Sequence, residues 1–140
     1  MREKILVDTG PLVALIDRRD SFHPWAKEQV AALDPPLYTC EPVLTEACFL
    51  LSHLPNGPQA ILDFVQQGLV AVELALKDEV AGVKKLLMRY GDVPISLADA
   101  CMVRLAEVNP NGILWTIDSD FRIYRLNGRA AIPLLIPAER

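Results

Sequence analysis

Four acidic side chains, Asp8, Glu46, Asp99 and Asp118, stand beside apolar runs rather than in solvated charge clusters. Asp8 follows Ile5-Leu6-Val7 and Asp118 follows Leu114-Trp115-Thr116-Ile117. Glu46 lies about 40° from Leu50 and about 60° from Val43 around a helix, on the border of its apolar stripe. Asp99 shares a helical face with Met102, Val103 and Ala106. An ionised carboxylate against apolar packing costs several kcal/mol unless something pairs with it. No basic residue is suitably spaced around Glu46, and Arg104 lies about 140° around the helix from Asp99. A shared cation would relieve both, and carboxylate oxygens are hard ligands that suit magnesium or manganese.

Each aspartate also has a capping explanation. Asp8 before Thr9-Gly10-Pro11 is a candidate helix N-cap. Ser96-Leu97-Ala98-Asp99 matches a capping box, and Asp118-Ser119-Asp120 suits the cap of a turn. Read singly, these acids leave both explanations open.

The elements that must position the acids follow from periodicity. Strands are expected at Lys4–Val7, Leu37–Thr39, Leu69–Val72, Gly112–Thr116 and Ile132–Leu135, and most read as continuous apolar runs. Helices are expected at Leu12–Asp17, Pro24–Leu33, Pro42 to about Leu54, Gln59–Gln67, Lys77–Tyr90 and Ser96–Val108, with a helical turn at Phe121–Leu126. Apolar strands joined by helices imply a parallel sheet covered on both faces, a three-layer α/β/α sandwich. Ligands of such sheets bind at the carboxyl ends of the strands, where strand order reverses. Asp8 and Asp118 end two strands there, and Glu46 and Asp99 ride on helices that can reach the same edge.

The remaining composition sets bounds. A chain of 140 residues fits one domain, 1–140. The amino terminus lacks the pattern of a signal peptide, and no apolar run suits a membrane span, so the cytoplasm is the expected compartment. Cys40, Cys48 and Cys101 are odd in number and widely spaced, which fits structural thiols rather than zinc or disulfides. The net charge of −4 counts mildly against nucleic acid as a partner, yet the cations cluster at Arg18-Arg19, Lys84-Lys85 with Arg89, and Arg122 with Arg125 and Arg129.

Four stretches together resemble the PIN-domain family, in particular its small stand-alone VapC-type toxin ribonucleases. They are Ile5-Leu6-Val7-Asp8-Thr9-Gly10-Pro11-Leu12, Val43-Leu44-Thr45-Glu46-Ala47, Ile95-Ser96-Leu97-Ala98-Asp99-Ala100 and Leu114-Trp115-Thr116-Ile117-Asp118-Ser119-Asp120-Phe121. The resemblance implies a five-stranded sheet in the order 3-2-1-4-5. It makes Asp8, Glu46, Asp99 and Asp118 the acids of a Mg2+ or Mn2+ site, with Thr9, Ser96 and Thr116 as supporting groups. Asp120 matches a variable position. The implied activity is endoribonucleolytic, as the toxin of a type II toxin–antitoxin pair, with an antitoxin protein and a homodimer as partners.

With such ions, Asp8, Asp99 and Asp118 would be ligands, and Glu46 a ligand or the group orienting the attacking water. Arg18, Arg19, Arg122 and Arg125 are candidate phosphate contacts, weighed against plain surface charge. His53 shares the Glu46 stripe but lies about 10 Å further along it, too far for a common metal. Other classes fail on residues. A haloacid-dehalogenase phosphatase needs an acid where Gly10 stands, and a receiver domain needs an Asp after the third strand and a Lys after the fifth. The remaining alternative is a non-catalytic PIN fold that binds RNA or protein.

Overall fold

The last turn of the first strand already shows how the fold is wired. Val7 pairs with Trp115, so the first strand of the chain lies beside one formed more than a hundred residues later. A computed structural model describes residues 3–138. Its sheet comprises β1 (Lys4–Val7), β2 (Leu37–Cys40), β3 (Val70–Leu74), β4 (Gly112–Trp115) and β7 (Leu134–Leu135). They run parallel in the order β3-β2-β1-β4-β7. That is the expected 3-2-1-4-5 arrangement, because the last sheet strand is the seventh strand of the chain.

Ile5, Leu6 and Val7 are buried because β1 is central and both its faces are covered. The helices are α1 (Thr9–Ile16), α2 (His23–Ala32), α3 (Glu41–Leu50), α4 (Gly57–Gln66), α5 (Leu76–Arg89) and α6 (Leu97–Glu107). α6 packs across β1 to β4 and against α5, while α1 packs on α2, α3 and α4. Its near-complete apolar composition is thereby explained: Ala98, Ala100, Cys101, Met102, Val103, Leu105 and Ala106 are all buried. Burial on this scale, rather than helix propensity, fixes the position of α6.

Several boundaries differ from the sequence reading. α1 begins at Thr9 rather than Leu12, with Pro11 tolerated in its first turn. α3 ends at Leu50, and turns carry the chain to α4. Gly57 opens α4 hard against the preceding turn: a Cβ there would stand 2.2 Å from the Leu51 carbonyl oxygen.

The expected helical turn at Phe121–Leu126 is instead a 3-10 turn at Ser119–Arg122 followed by a small hairpin. The hairpin pairs β5 (Arg125–Leu126) with β6 (Ala130–Ala131) antiparallel. Asn127 and Gly128, at φ 52° and 73°, supply the two left-handed residues that a tight hairpin turn needs. Among the described residues, no helix is long and apolar enough to cross a membrane.

Candidate active site

β1 ends on Asp8 and β4 ends just before Thr116, so the central pair of strands brings these residues side by side. The Asp8 N–H donates to the Trp115 carbonyl at 3.0 Å, continuing the β1–β4 ladder to the acid itself. The Thr116 hydroxyl donates to Asp8 Oδ2 at 2.8 Å and accepts from the Asp118 N–H at 3.0 Å. Asp118 Oδ1 accepts in turn from the Asp120 N–H at 2.9 Å, which caps the 3-10 turn. A run of hydrogen bonds therefore links the carboxyl end of β4 to Asp8.

Asp8 is 5% exposed. It occupies the N-cap position of α1, yet its side chain forms no cap hydrogen bond. The capping explanation thus fails for Asp8. It holds for Asp99: Ser96 and Asp99 form a capping box, with Ser96 Oγ accepting from the Asp99 N–H at 3.0 Å. Capping and cleft position coincide there, because the box fixes the first turn of α6 at the sheet edge.

Asp8, Glu46, Asp99 and Asp118 all line one open cleft of about 470 Å3, together with Thr9, Gly10, Val13, Asp20, Ser21, Phe22, Leu50 and Ile117. None of these residues is basic. Burial pushes the Asp8 pKa from 3.8 to about 7; Asp99 and Asp118 add to the rise, and the Thr9 N–H and Thr116 hydroxyl only partly offset it. Burial likewise lifts Asp99 to about 6, with Asp118 and Glu46 as repelling neighbours. The phenol of Tyr124 is pushed up by burial and then by Asp99, Asp120 and Asp118.

The donor set suits a hard divalent cation. The oxygens are uncompensated carboxylates, and Thr9 Oγ1 is buried at the cleft without a hydrogen-bond partner. As placed, however, no three His, Cys, Asp or Glu among the described residues converge into a ready metal cage. Carboxylates that repel one another do not gather unaided, and a magnesium ion that keeps several waters does not require direct contact with every acid.

The supporting residues divide. Thr9 lines the cleft, Thr116 lies behind Asp8, and Ser96 acts through the cap of α6. Asp120 contributes its N–H but is not among the lining residues. Arg18, Arg19, Arg122 and Arg125 do not line the cleft either. The Arg125 guanidinium is committed to the carbonyls of Arg122, Ile123 and Tyr124. His53 is exposed and faces Asp17 at 3.5 Å, and His23 Nδ1 contacts the Ala14 carbonyl at 2.6 Å.

A fifth acid, Asp20, was not anticipated. The loop between α1 and α2 folds it into the cleft, with the Phe22 N–H donating to its Oδ1 at 2.8 Å. The available signal was an aspartate three residues before the start of α2, a common turn-forming position. Cys40, Cys48 and Cys101 are free. A hydrogen bond with Cys101, and then burial, push the Cys40 thiol up, so it stays protonated in the core.

Residues 5–126 match the PIN domain family. Among solved structures, the toxin VapC20 of Mycobacterium tuberculosis, described as cleaving the sarcin-ricin loop, superposes with a TM-score of 0.76. The match covers 84% of this chain and 92% of that one at 24% identity, a likeness of fold. No curated protein sequence matches the chain.

Proposed function

The chain belongs to the PIN domain family, and from that premise we propose that it is a divalent-metal-dependent endoribonuclease, the toxin of a type II toxin–antitoxin pair. One observation carries the reading: Asp8, Glu46, Asp99 and Asp118, joined by Asp20, share a cleft with no basic residue in its lining. A cluster so strongly self-repelling is a liability for a fold without a ligand, and a cation turns it into a binding site.

Asp8, Asp99 and Asp118 would hold one or two Mg2+ or Mn2+ ions, with Glu46 as a further ligand or as the group that orients the attacking water. When bound, such ions neutralise a phosphodiester oxygen, acidify a water and stabilise the leaving oxygen. The chain's own residues prepare for this. Thr116 fixes the carboxylate of Asp8, and the capping box fixes the backbone that carries Asp99. Glu46 is half-buried and makes no hydrogen bond or ion pair among the described residues, so its carboxylate is available to reorient. The raised pKa values mean that a cation entering near or below pH 7 displaces a proton from Asp8, and from Asp99 only in more acidic solution.

RNA is the substrate on this reading, and VapC20 is described as cleaving the sarcin-ricin loop. An antitoxin protein, a homodimer and a cytoplasmic location come with the family resemblance. The non-catalytic alternative is favoured by one fact, the lack of a converged metal cage among the described residues. Cleavage of a pool of structured RNAs decides between them. The nuclease reading expects cutting that needs Mg2+ or Mn2+ and is abolished by EDTA or Asp8→Asn. Cutting that survives both Asp8→Asn and Asp99→Asn refutes the site; no cutting and no metal binding by calorimetry supports the binding module. Growth arrest on induced expression, lost in Asp8→Asn, would support the toxin role.

A further inference from the structure

A polyanionic substrate is repelled by the acid cleft and by a chain of net charge −4, so its affinity has to come from cations elsewhere. The fold assembles such cations from distant segments. A second groove, about 450 Å3 in volume, runs between α5, α6 and the β5–β6 hairpin, and is lined by Lys85, Arg89, Arg104, Glu107 and Asn127 among others. Three of its charged side chains are cations and one is an acid.

The cations differ in availability. Arg104 is paired, with Nε on Glu79 at 2.7 Å and Nη1 on Glu107 at 3.2 Å. Glu107 also accepts from the Asn127 N–H at 2.8 Å, which ties the hairpin to α6. These pairs make a fixed floor. Lys85 and Arg89, one helical turn apart on α5, are exposed and form no ion pair or side-chain hydrogen bond among the described residues. The Arg89 guanidinium lies over the hairpin turn: a Cβ on Gly128 would stand 3.5 Å from its Cζ. Arg129, next in the chain, is also exposed. The Lys85–Arg89 pair thus faces a hairpin turn that carries a further cation some forty positions on in sequence.

The segment that leads from Asp118 to the hairpin is tied to the end of α5. Tyr90, which follows Arg89, accepts from the Arg125 N–H at 2.9 Å and packs edge-on against Tyr124 with ring centroids 5.0 Å apart. Roughly ten residues separate Asp118 from Gly128, a contour of at most about 36 Å, which keeps the groove within several nucleotides of the cleft.

We propose that the groove formed by Lys85 and Arg89 of α5 with the Asn127–Gly128 turn binds backbone phosphates of the RNA flanking the scissile bond. Single-stranded or loop RNA can follow such a track without base recognition, because phosphate contacts position the strand and carry no sequence information. The identity of the polyanion rests on the ribonuclease reading; the presence of a phosphate-binding groove does not.

The test compares the full-length protein with Lys85→Ala/Arg89→Ala and with Lys85→Gln/Arg89→Gln, which keeps much of the side-chain stems. Lys77→Ala serves as a control cation on the same helix. Anisotropy of a labelled single-stranded RNA in EDTA reads binding without cleavage, between about 0.05 and 0.2 M salt. Loss of two phosphate contacts lowers the slope of log K against log salt by about 1.4 and weakens binding about 25-fold at 0.1 M salt. Both double variants should show this, with the control unchanged and with thermal unfolding like wild type. If both bind RNA as wild type does, the groove is not a phosphate site, and an acidic protein segment becomes its better occupant. Wild-type binding that depends on the pair, without any cleavage in magnesium, keeps the groove and removes the nuclease reading. Cleavage that is indifferent to the pair does the reverse, and a wild type that neither binds nor cuts RNA overturns both.

Discussion

Replacing Asp8 with Asn should stabilise the metal-free protein at neutral pH. In the folded state Asp8 titrates at about 7 because it is buried, against 3.8 for the free side chain. The folded protein therefore holds a proton that the unfolded chain has already released. Its contribution to stability is fully present below about pH 4, falls as pH rises, and is lost above the folded value near 7. About three pH units at about 1.4 kcal/mol each set the cost near 4 kcal/mol at pH 8. Asn removes the titration and can still accept the Thr116 hydroxyl through Oδ1, but its amide needs partners of its own, so a net gain of about 2–4 kcal/mol is expected. The assay is urea unfolding in EDTA at several pH values between about 4 and 8. Wild type should lose stability steadily across that range, and Asp8→Asn should lose much less. Adding magnesium should stabilise wild type more than Asp8→Asn, because the variant keeps the other acids of the cleft but lacks the Asp8 carboxylate. An Asp8→Asn protein less stable than wild type at pH 8 in EDTA would refute the reasoning, as would a wild-type profile flat from pH 4 to 7.

Glu46→Gln should cut RNA cleavage by about 10²-fold or more while changing stability by less than about 0.5 kcal/mol, since the side chain has no partner to lose; kcat and unfolding midpoints measure both. Thr116→Val leaves the Asp8 carboxylate and the Asp118 N–H short of a partner, and should cost about 1–3 kcal/mol in urea unfolding, whereas Thr116→Ser should recover most of it. Gly57→Ala sets a methyl group against the Leu51 carbonyl and should cost about 3 kcal/mol, with a matching fall in thermal midpoint, despite the better helix propensity of alanine.

The sheet was legible because its central strands β1 and β4 are largely buried on both faces, and runs such as Ile5-Leu6-Val7 and Ile113-Leu114-Trp115 admit few other readings. Glu46 and Asp99 stood out through conflict, a carboxylate drawn on an apolar helical face, whereas Asp8 and Asp118 stood out only through the order and spacing of the four motifs together. Asp20 presents no such conflict: it sits in a polar loop, and only the packing of α1 on α2 carries it to the cleft. The β5–β6 hairpin is short and nearly free of apolar alternation, so a helical turn seemed the natural reading of Phe121–Leu126. The Asn127-Gly128 pair was the local clue to a tight turn. Arg125 shows a different limit. Its charge is visible in sequence, but its commitment to three carbonyls is a matter of local geometry that no spacing rule conveys.

The β1–β4 pairing has a consequence in time. Asp8 and the Thr116 hydroxyl that holds it are 108 residues apart. At about 5–20 residues per second, roughly 5–20 seconds of translation separate their synthesis. The strand destined for the middle of the sheet is made first and must wait for one of its two neighbours until near the end. Completion of the acid cleft is thus among the final events in the birth of the molecule, and a nascent chain lacking β4 carries Asp8 without the scaffold that would orient it.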